Sequence, residues 1–120
     1  RQSEALNRSI LEASTDCIKI IGLDGALQLM NEPGLCSMEI ESFGEVRDKQ
    51  WAELWPAPMR AVVQAAQKEA RGGASARFSG FCPTARGKPK WWDVAVSPML
   101  SECGEVQQIL VISRDITASR

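Results

Sequence analysis

Residues 91–117 read WWDVAVSPMLSECGEVQQILVISRDIT, and this stretch predicts a β-hairpin with a loop at Cys103-Gly104-Glu105. In its first strand Trp92, Val94 and Val96 share one face, because successive side chains of a strand point to opposite sides. The second strand is apolar on both faces, and such a strand needs cover on both sides. The hairpin therefore predicts a sheet with a core on one face and a helix or a second subunit on the other.

Apolar periodicity in the rest of the chain predicts an α+β fold. The clearest helix carries an apolar stripe made by Met59, Val62, Val63, Ala66 and Ala70. The other predicted elements are a helix over 3–13, strands over 16–23 and 26–30, a tryptophan-bearing helical element over 51–56 and a strand over 75–82. Strands that are segregated from helices in this order are typical of an antiparallel sheet covered on one side.

Four segments, taken in order, resemble the PAS family. They are TDCIKIIGLDGALQLMN at 15–31, WAELWPAPMRAVVQAAQKEARGG at 51–73, WWDVAVSPML at 91–100 and VQQILVISRDIT at 106–117. The resemblance implies a PAS-like five-stranded antiparallel sheet, with helices packed across one face and an N-terminal helix on or near the other.

The resemblance also implies a domain organisation. A PAS domain would span 14–117, preceded by a flanking helix over 1–13, and 118–120 would begin a linker to an effector domain. The chain departs from the family after Asn31, where Glu32-Pro33-Gly34 predicts a late helix start or a turn instead of the usual short helix.

Composition and charge exclude several classes of function. The chain has 120 residues, enough for one domain with a hydrophobic core. Its net charge of −1 gives no electrostatic reason to expect binding to nucleic acid or to a membrane surface. No apolar run is long enough to span a membrane. The chain begins at Arg1 without a methionine, so we expect a fragment of a longer protein.

The titratable side chains form no pattern typical of a metal site or a catalytic centre. Histidine is absent and the four cysteines form no CxxC pair, so we predict no metal site and free thiols in a reducing compartment. No nucleophile has a neighbouring base, no carboxylates are spaced as a catalytic pair, and no phosphate-binding glycine motif occurs. We predict that the domain itself is not an enzyme.

A ligand pocket is predicted between the sheet and the helices that the PAS resemblance places across it. Its expected lining residues are Trp51, Trp55, Val63, Phe78, Cys82, Trp92, Val94, Val111 and Ser113. The alternative interpretation is that these side chains only fill the core. Bulky tryptophans favour a filled core, whereas the inward-facing Gly80 favours a cavity.

The resemblance also limits which cofactors are expected. Flavin photoreceptors of this family carry a reactive-cysteine motif that Cys36, in GLCSMEIE, does not match, so no flavin adduct is expected. Haem-binding members usually bind iron through histidine, which leaves a Met or Cys ligand such as Met59 as the alternative, and a p-coumarate-like chromophore needs tyrosine; the chain has neither histidine nor tyrosine. We therefore expect the domain to bind an unidentified small organic ligand or no ligand.

The outer face of the sheet is predicted to be a contact surface. Trp91, Ala95, Leu110 and Ile112 point away from the core and form an apolar face. We expect Leu6 and Ile10 of the N-terminal helix and a second subunit to cover it, so a homodimer is predicted. Cover by that helix alone is the alternative.

The resemblance implies a cytoplasmic sensory domain of a bacterial signalling protein, most often a sensor histidine kinase. A change in the pocket would pass through the last strand to Asp115-Ile116-Thr117 and on to the effector domain. The alternative is a ligand-free dimerisation module of a diguanylate cyclase, phosphodiesterase or transcriptional regulator. A small α+β enzyme with an apolar pocket is a third hypothesis.

Overall fold

The chain folds into one antiparallel sheet with helices, as the computed structural model shows for residues 16–119. The elements are β1 (Cys17–Ile21), β2 (Leu27–Met30), α1 (Glu32–Ser37), α2 (Ala57–Arg71), β3 (Ala76–Phe81), β4 (Trp91–Leu100) and β5 (Val106–Asp115). Short 3-10 helices span Phe43–Glu45, Trp51–Leu54 and Thr117–Ser119. The helix predicted over 3–13 lies outside the described residues.

The strand order β2-β1-β5-β4-β3 places the last strand between the first and the fourth. Every pairing is antiparallel. In the pairing of β1 with β5, Cys17 lies opposite Ser113 and Lys19 lies opposite Val111. The predicted five-stranded antiparallel sheet is confirmed. The pairing of β1 with β5 joins the hairpin formed by β1 and β2 to the hairpin formed by β4 and β5.

The core lies on one face of this sheet. Trp92, Val94 and Val96 are 3%, 0% and 0% exposed on β4, and Val111 is 0% exposed on β5. α2 packs across β3, β4 and β5 on that side. The two-residue alternation of the final hairpin therefore predicted its inward side chains correctly.

α2 buries a narrower stripe than its sequence predicted. Val63, Ala66 and Ala70 are buried as expected, but Val62 is 42% exposed and Gln67 lies inside instead. Successive residues of an α-helix are about 100° apart, so a helix that presents Val63 to the sheet turns Val62 to the side. The prediction for Val62 was wrong because the apolar stripe was assigned to more of the helix circumference than the helix buries.

α1 begins directly after β2, where the sequence predicted a late start or a turn. Asn31, 1% exposed, caps this helix by accepting a hydrogen bond from the N–H of Gly34 at 3.0 Å. Its Oδ1 also accepts from the N–H of Ile18 at 2.9 Å, and its Nδ2 donates to the carbonyl of Asp16 at 3.0 Å. Pro33 lies in the first turn of the helix, where backbone N–H groups have no acceptor within the helix. The N–H that proline lacks is therefore not needed there.

Replacing Asn31 with alanine is expected to lower the free energy of unfolding by about 2–4 kcal/mol, because the cap is lost and a buried backbone N–H is left unpaired. Urea denaturation measures the change. Ser42→Ala is the matched control, since Ser42 caps only the short, exposed helix at Phe43–Glu45. Equal effects of the two substitutions would show that Asn31 stabilises the fold no more than an exposed helix cap does.

Candidate functional site

A small cavity lies between the inner face of the sheet and the segments that follow β2. Its volume is about 30 Å³. The lining residues are Lys19, Met30, Met38, Ile40, Trp51, Leu54, Trp55, Cys82, Trp92 and Ser113. A cavity of this size holds about two water molecules. A flavin or a haem would not fit without displacing the side chains around it.

Aromatic packing fixes one side of the cavity. The 3-10 helix at Trp51–Leu54 holds Trp51 and Trp55 edge to face, with ring centroids 6.3 Å apart. Phe78 of β3 packs against Trp55 at 5.4 Å. On β4 the indole N–H of Trp92 donates to the carbonyl of Cys82 at 3.0 Å. A buried indole with its N–H satisfied in this way has a defined orientation.

Lys19 brings a cation into this apolar site. It lies on the inner face of β1, is 6% exposed, and its Nζ donates to the Sγ of Cys17 at 3.0 Å. Among residues 16–119 no carboxylate forms an ion pair with it. A buried charge is costly unless a partner compensates it, so Lys19 lies where an anionic partner would be favourable.

Ser113 and Cys82 bring a hydroxyl and a thiol to the cavity. The Oγ of Ser113 is buried and finds no hydrogen-bond partner among residues 16–119. The Sγ of Cys82 lies 3.5 Å from the carbonyl oxygen of Leu54. Burial raises the pKa of the Cys82 thiol to about 11, although the positive charge of Lys19 opposes this rise. Cys82 is therefore a neutral thiol at pH 7 and gives Lys19 no counter-ion.

Only some of the predicted pocket residues line the cavity. Five do so, namely Trp51, Trp55, Cys82, Trp92 and Ser113. The other four lie in the packing around it, namely Val63, Phe78, Val94 and Val111. The space beside Gly80 is filled by the side chain of Met59.

Sequence reasoning missed five lining residues: Lys19, Met30, Met38, Ile40 and Leu54. The signal for Lys19 was present, since Cys17, Lys19 and Ile21 alternate along β1 and so share one face. Met38 and Ile40 lie in the segment after α1, which showed no clear periodicity.

The chain leaves the sheet through a compact set of hydrogen bonds that we call the exit clasp, formed by Lys90, Trp91, Asp115 and Thr117. The carboxylate of Asp115 pairs with the Nζ of Lys90 at 2.9 Å and accepts from the hydroxyl and the N–H of Thr117 at 2.6 Å and 3.0 Å. The Thr117 hydroxyl accepts from the N–H of Trp91 at 2.9 Å. The clasp therefore ties the end of β5 to the start of β4.

The exit clasp holds Asp115 in its ionised form. Partial burial raises the pKa of Asp115, but hydrogen bonds from Thr117 and Lys90 outweigh that effect and bring the pKa to about 2. The carboxylate is consequently charged throughout the physiological range.

The outer face carries the predicted contact residues. Trp91 packs edge to face on Phe81, with ring centroids 5.5 Å apart. Ala95, Leu110 and Ile112 are half-buried there. The predicted contacts Leu6 and Ile10 lie outside the described residues.

Comparison with known proteins gives a consistent family. The family model described as PAS fold matches residues 11–120. The chain is similar to a domain of a sensory box sensor histidine kinase/response regulator from Geobacter sulfurreducens, with 23% identity, a TM-score of 0.78 and coverage of 95% of this chain and 94% of that chain. No curated protein matches the chain.

Two further solved structures share the fold. The PAS domain of a Colwellia psychrerythraea protein is 15% identical with a TM-score of 0.82, covering 97% of this chain and 98% of that chain. A LOV protein of Rhodobacter sphaeroides is 14% identical with a TM-score of 0.76, covering 97% of this chain and 68% of that chain. At such identities the structural likeness establishes the fold alone.

Replacing Lys19 with methionine is expected to raise the free energy of unfolding of the unliganded chain by about 1–2 kcal/mol, because an uncompensated buried charge is replaced by an apolar group of similar length. Thermal and urea denaturation measure the change. The control Lys88→Met removes an exposed lysine and should stay within about 0.5 kcal/mol of the parent. A Lys19→Met variant less stable than the parent would contradict the assignment of Lys19 as uncompensated.

The Asp115→Asn substitution is expected to lower stability by about 1 kcal/mol at neutral pH, a modest value because the side chain is 34% exposed. The folded-state pKa of Asp115 is about 2, below its ordinary value of 3.8, so its contribution is present above pH 3.8 and lost as the pH falls towards 2. Denaturation of both proteins across this range should show the difference disappear. A difference that stays constant with pH would show that the charge of Asp115 does not stabilise the fold.

Proposed function

The chain belongs to the PAS fold family, as its motifs predicted, and we propose that it is the sensory domain of a bacterial signal-transduction protein that relays the state of its cavity through β5. The single observation that carries this proposal is the position of two side chains. Ser113 lines the cavity and Asp115, two residues further along β5, anchors the exit clasp. One strand thus joins the candidate input to the point where the chain leaves the sheet.

A second connection runs through Trp92. This residue lines the cavity and lies opposite Asp115 in the pairing of β4 with β5. The Nζ of Lys90, which pairs with Asp115, lies 5.8 Å from the centre of the Trp92 ring. A ligand that moves Trp92 would alter this ion pair and with it the geometry of the exit clasp. A differential affinity of about 1–3 kcal/mol between two states is enough for such a switch.

The proposed effector is a histidine kinase in the same full-length chain. The similar Geobacter domain, which comes from a sensor histidine kinase/response regulator, supports this choice. In this proposal the PAS domain spans 14–117, residues 118–120 begin the linker, and Asp115, Ile116 and Thr117 form the relay. The domain itself performs no catalysis.

We also propose a cytoplasmic homodimer. None of the helices among residues 16–119 has the length and apolar character needed to cross a membrane. The half-buried apolar residues Trp91, Ala95, Leu110 and Ile112 form the proposed contact surface for the N-terminal helix and a second subunit. The net charge of −1 supports neither nucleic acid nor a membrane surface as a partner.

We propose that the domain forms no flavin adduct and binds no haem. Cys36 is exposed and lies outside the cavity lining. In the sensory proposal the cavity holds a small organic ligand instead.

The second candidate function is a ligand-free dimerisation module of a diguanylate cyclase, phosphodiesterase or transcriptional regulator. The cavity volume of about 30 Å³ favours it, because many small-molecule sites are larger. Native mass spectrometry separates the two candidates. A small molecule retained by the purified protein supports sensing, whereas a dimer that neither retains nor binds one supports the dimerisation module.

Replacing Asp115 with alanine in the intact protein is expected to abolish regulation of the effector while the domain stays folded, because the exit clasp loses its acceptor. The measurement is effector activity with and without the stimulus, together with circular dichroism of the variant. The matched control is Asp93→Ala, since Asp93 also pairs with a cation, Arg77 at 2.6 Å, but on the exposed outer face away from the exit. Full regulation in the Asp115 variant, or equal loss in both variants, would overturn the proposed relay.

A further inference from the structure

The cavity has one polar end with unused hydrogen-bonding capacity. The ammonium group of a lysine carries three N–H donors, and the Cys17 thiol is the acceptor that the structure gives Lys19 among the described residues. The buried Oγ of Ser113 has no hydrogen-bond partner in the part of the chain that the structure describes. Ser113 lies on β5 two residues from Val111, the cross-strand partner of Lys19, so the two side chains are diagonal neighbours on the inner face.

The residues from 16 to 119 give the ammonium group of Lys19 no carboxylate partner. None of the described residues that line the cavity is acidic. Cys82, the one thiol in that lining, is held neutral by its burial. A ligand for this site must therefore bring a negative charge and must accept hydrogen bonds from an N–H and an O–H donor. A carboxylate does both, because its two oxygens accept several hydrogen bonds.

The remainder of the cavity limits the size and polarity of the group that is attached to the ligand's carboxylate. Apart from Lys19, Cys82 and Ser113 the lining side chains are aliphatic, aromatic or thioether groups. Space for about two water molecules is nearest to the size of formate or acetate, and propionate or butyrate enters as the flexible side chains of Met30 and Met38 shift. An apolar tail gains from burial, whereas a second charge on the ligand would not find a partner.

We propose that this cavity binds short-chain aliphatic monocarboxylate ions, with Lys19 Nζ and Ser113 Oγ donating hydrogen bonds to the carboxylate. This inference rests on the sensory function proposed above and names the class of its ligand. The ammonium group of Lys19 supplies the charge selectivity, Ser113 adds a hydrogen bond, and the indole and thioether groups contact the alkyl end. A ligand held by Ser113 and Lys19 touches β5 and β1 directly, next to the strand end that enters the exit clasp.

The test is a titration of the 120-residue chain with sodium formate, acetate, propionate and butyrate, followed by methyl NMR at constant ionic strength. We expect saturable shifts at the methyl groups of Met30, Met38 and Ile40, which line the cavity. A Kd of about 1 mM or tighter is within reach of such small ligands. Propionamide, which has nearly the same shape and no charge, should bind at least about tenfold more weakly than propionate.

The variants localise the interaction. Lys19→Met should weaken propionate binding by about tenfold to a hundredfold, and Ser113→Ala by about threefold to tenfold, because a charge-assisted hydrogen bond contributes more than a neutral one. Lys88→Met, which removes an exposed lysine, should leave the affinity unchanged. If Lys19→Met fails to fold, the Ser113→Ala variant and the propionamide comparison still decide the question.

Several results would overturn the inference: no saturation up to about 50 mM ligand, equal affinity for propionate and propionamide, or unchanged affinity in both cavity variants. Failure of this inference is distinct from failure of the sensory function. Regulation that depends on Asp115 in a protein that binds no carboxylate would overturn only the ligand class. Carboxylate binding in a protein whose effector ignores Asp115 would overturn only the relay.

Discussion

The pairing of the first strand with the last is the constraint on which the sheet, the cavity and the exit of the chain depend. β1 lies against β5 in a register that sets Cys17 opposite Ser113 and Lys19 opposite Val111. Because strand side chains alternate, a slip of one residue in either strand would turn its inward side chains to the outer face. The same β5 pairs with β4 on its other edge, so one strand connects the cavity to the exit clasp.

Two charged side chains in this structure have opposite roles. Asp115 is partly exposed and has its cation and its hydroxyl donor close by, so its charge stabilises the end of the sheet. Lys19 is buried beside a thiol, without a carboxylate among the described residues, so the burial of its charge opposes folding. Stability given up at a particular buried group is typical of sites that are completed by a ligand.

Features set by local sequence periodicity were predicted well, and features set by distant contacts were not. The alternation of Trp92, Val94 and Val96 predicted the inner face of β4, and the spacing of Val63, Ala66 and Ala70 predicted that of α2. α1 was missed because its cap, Asn31, is itself held by β1 backbone groups that periodicity cannot reveal. Within the cavity, Trp92 and Ser113 were identifiable from strand faces, and Trp51 and Trp55 from the tryptophan-bearing element that precedes α2. Lys19 was overlooked because lysines are rarely buried, although its place in the β1 alternation predicts an inward side chain.

The most direct test is the register of β1 against β5, measured by cross-strand nuclear Overhauser effects in the labelled chain. Contacts between backbone protons of Lys19 and Val111 and of Cys17 and Ser113 are the predicted result. Contacts of Lys19 with Leu110 or Ile112 as its direct partners would instead indicate a slip of one residue, which would no longer place Lys19 and Ser113 together on the core face. That result would contradict the shared cavity and the relay that depends on it.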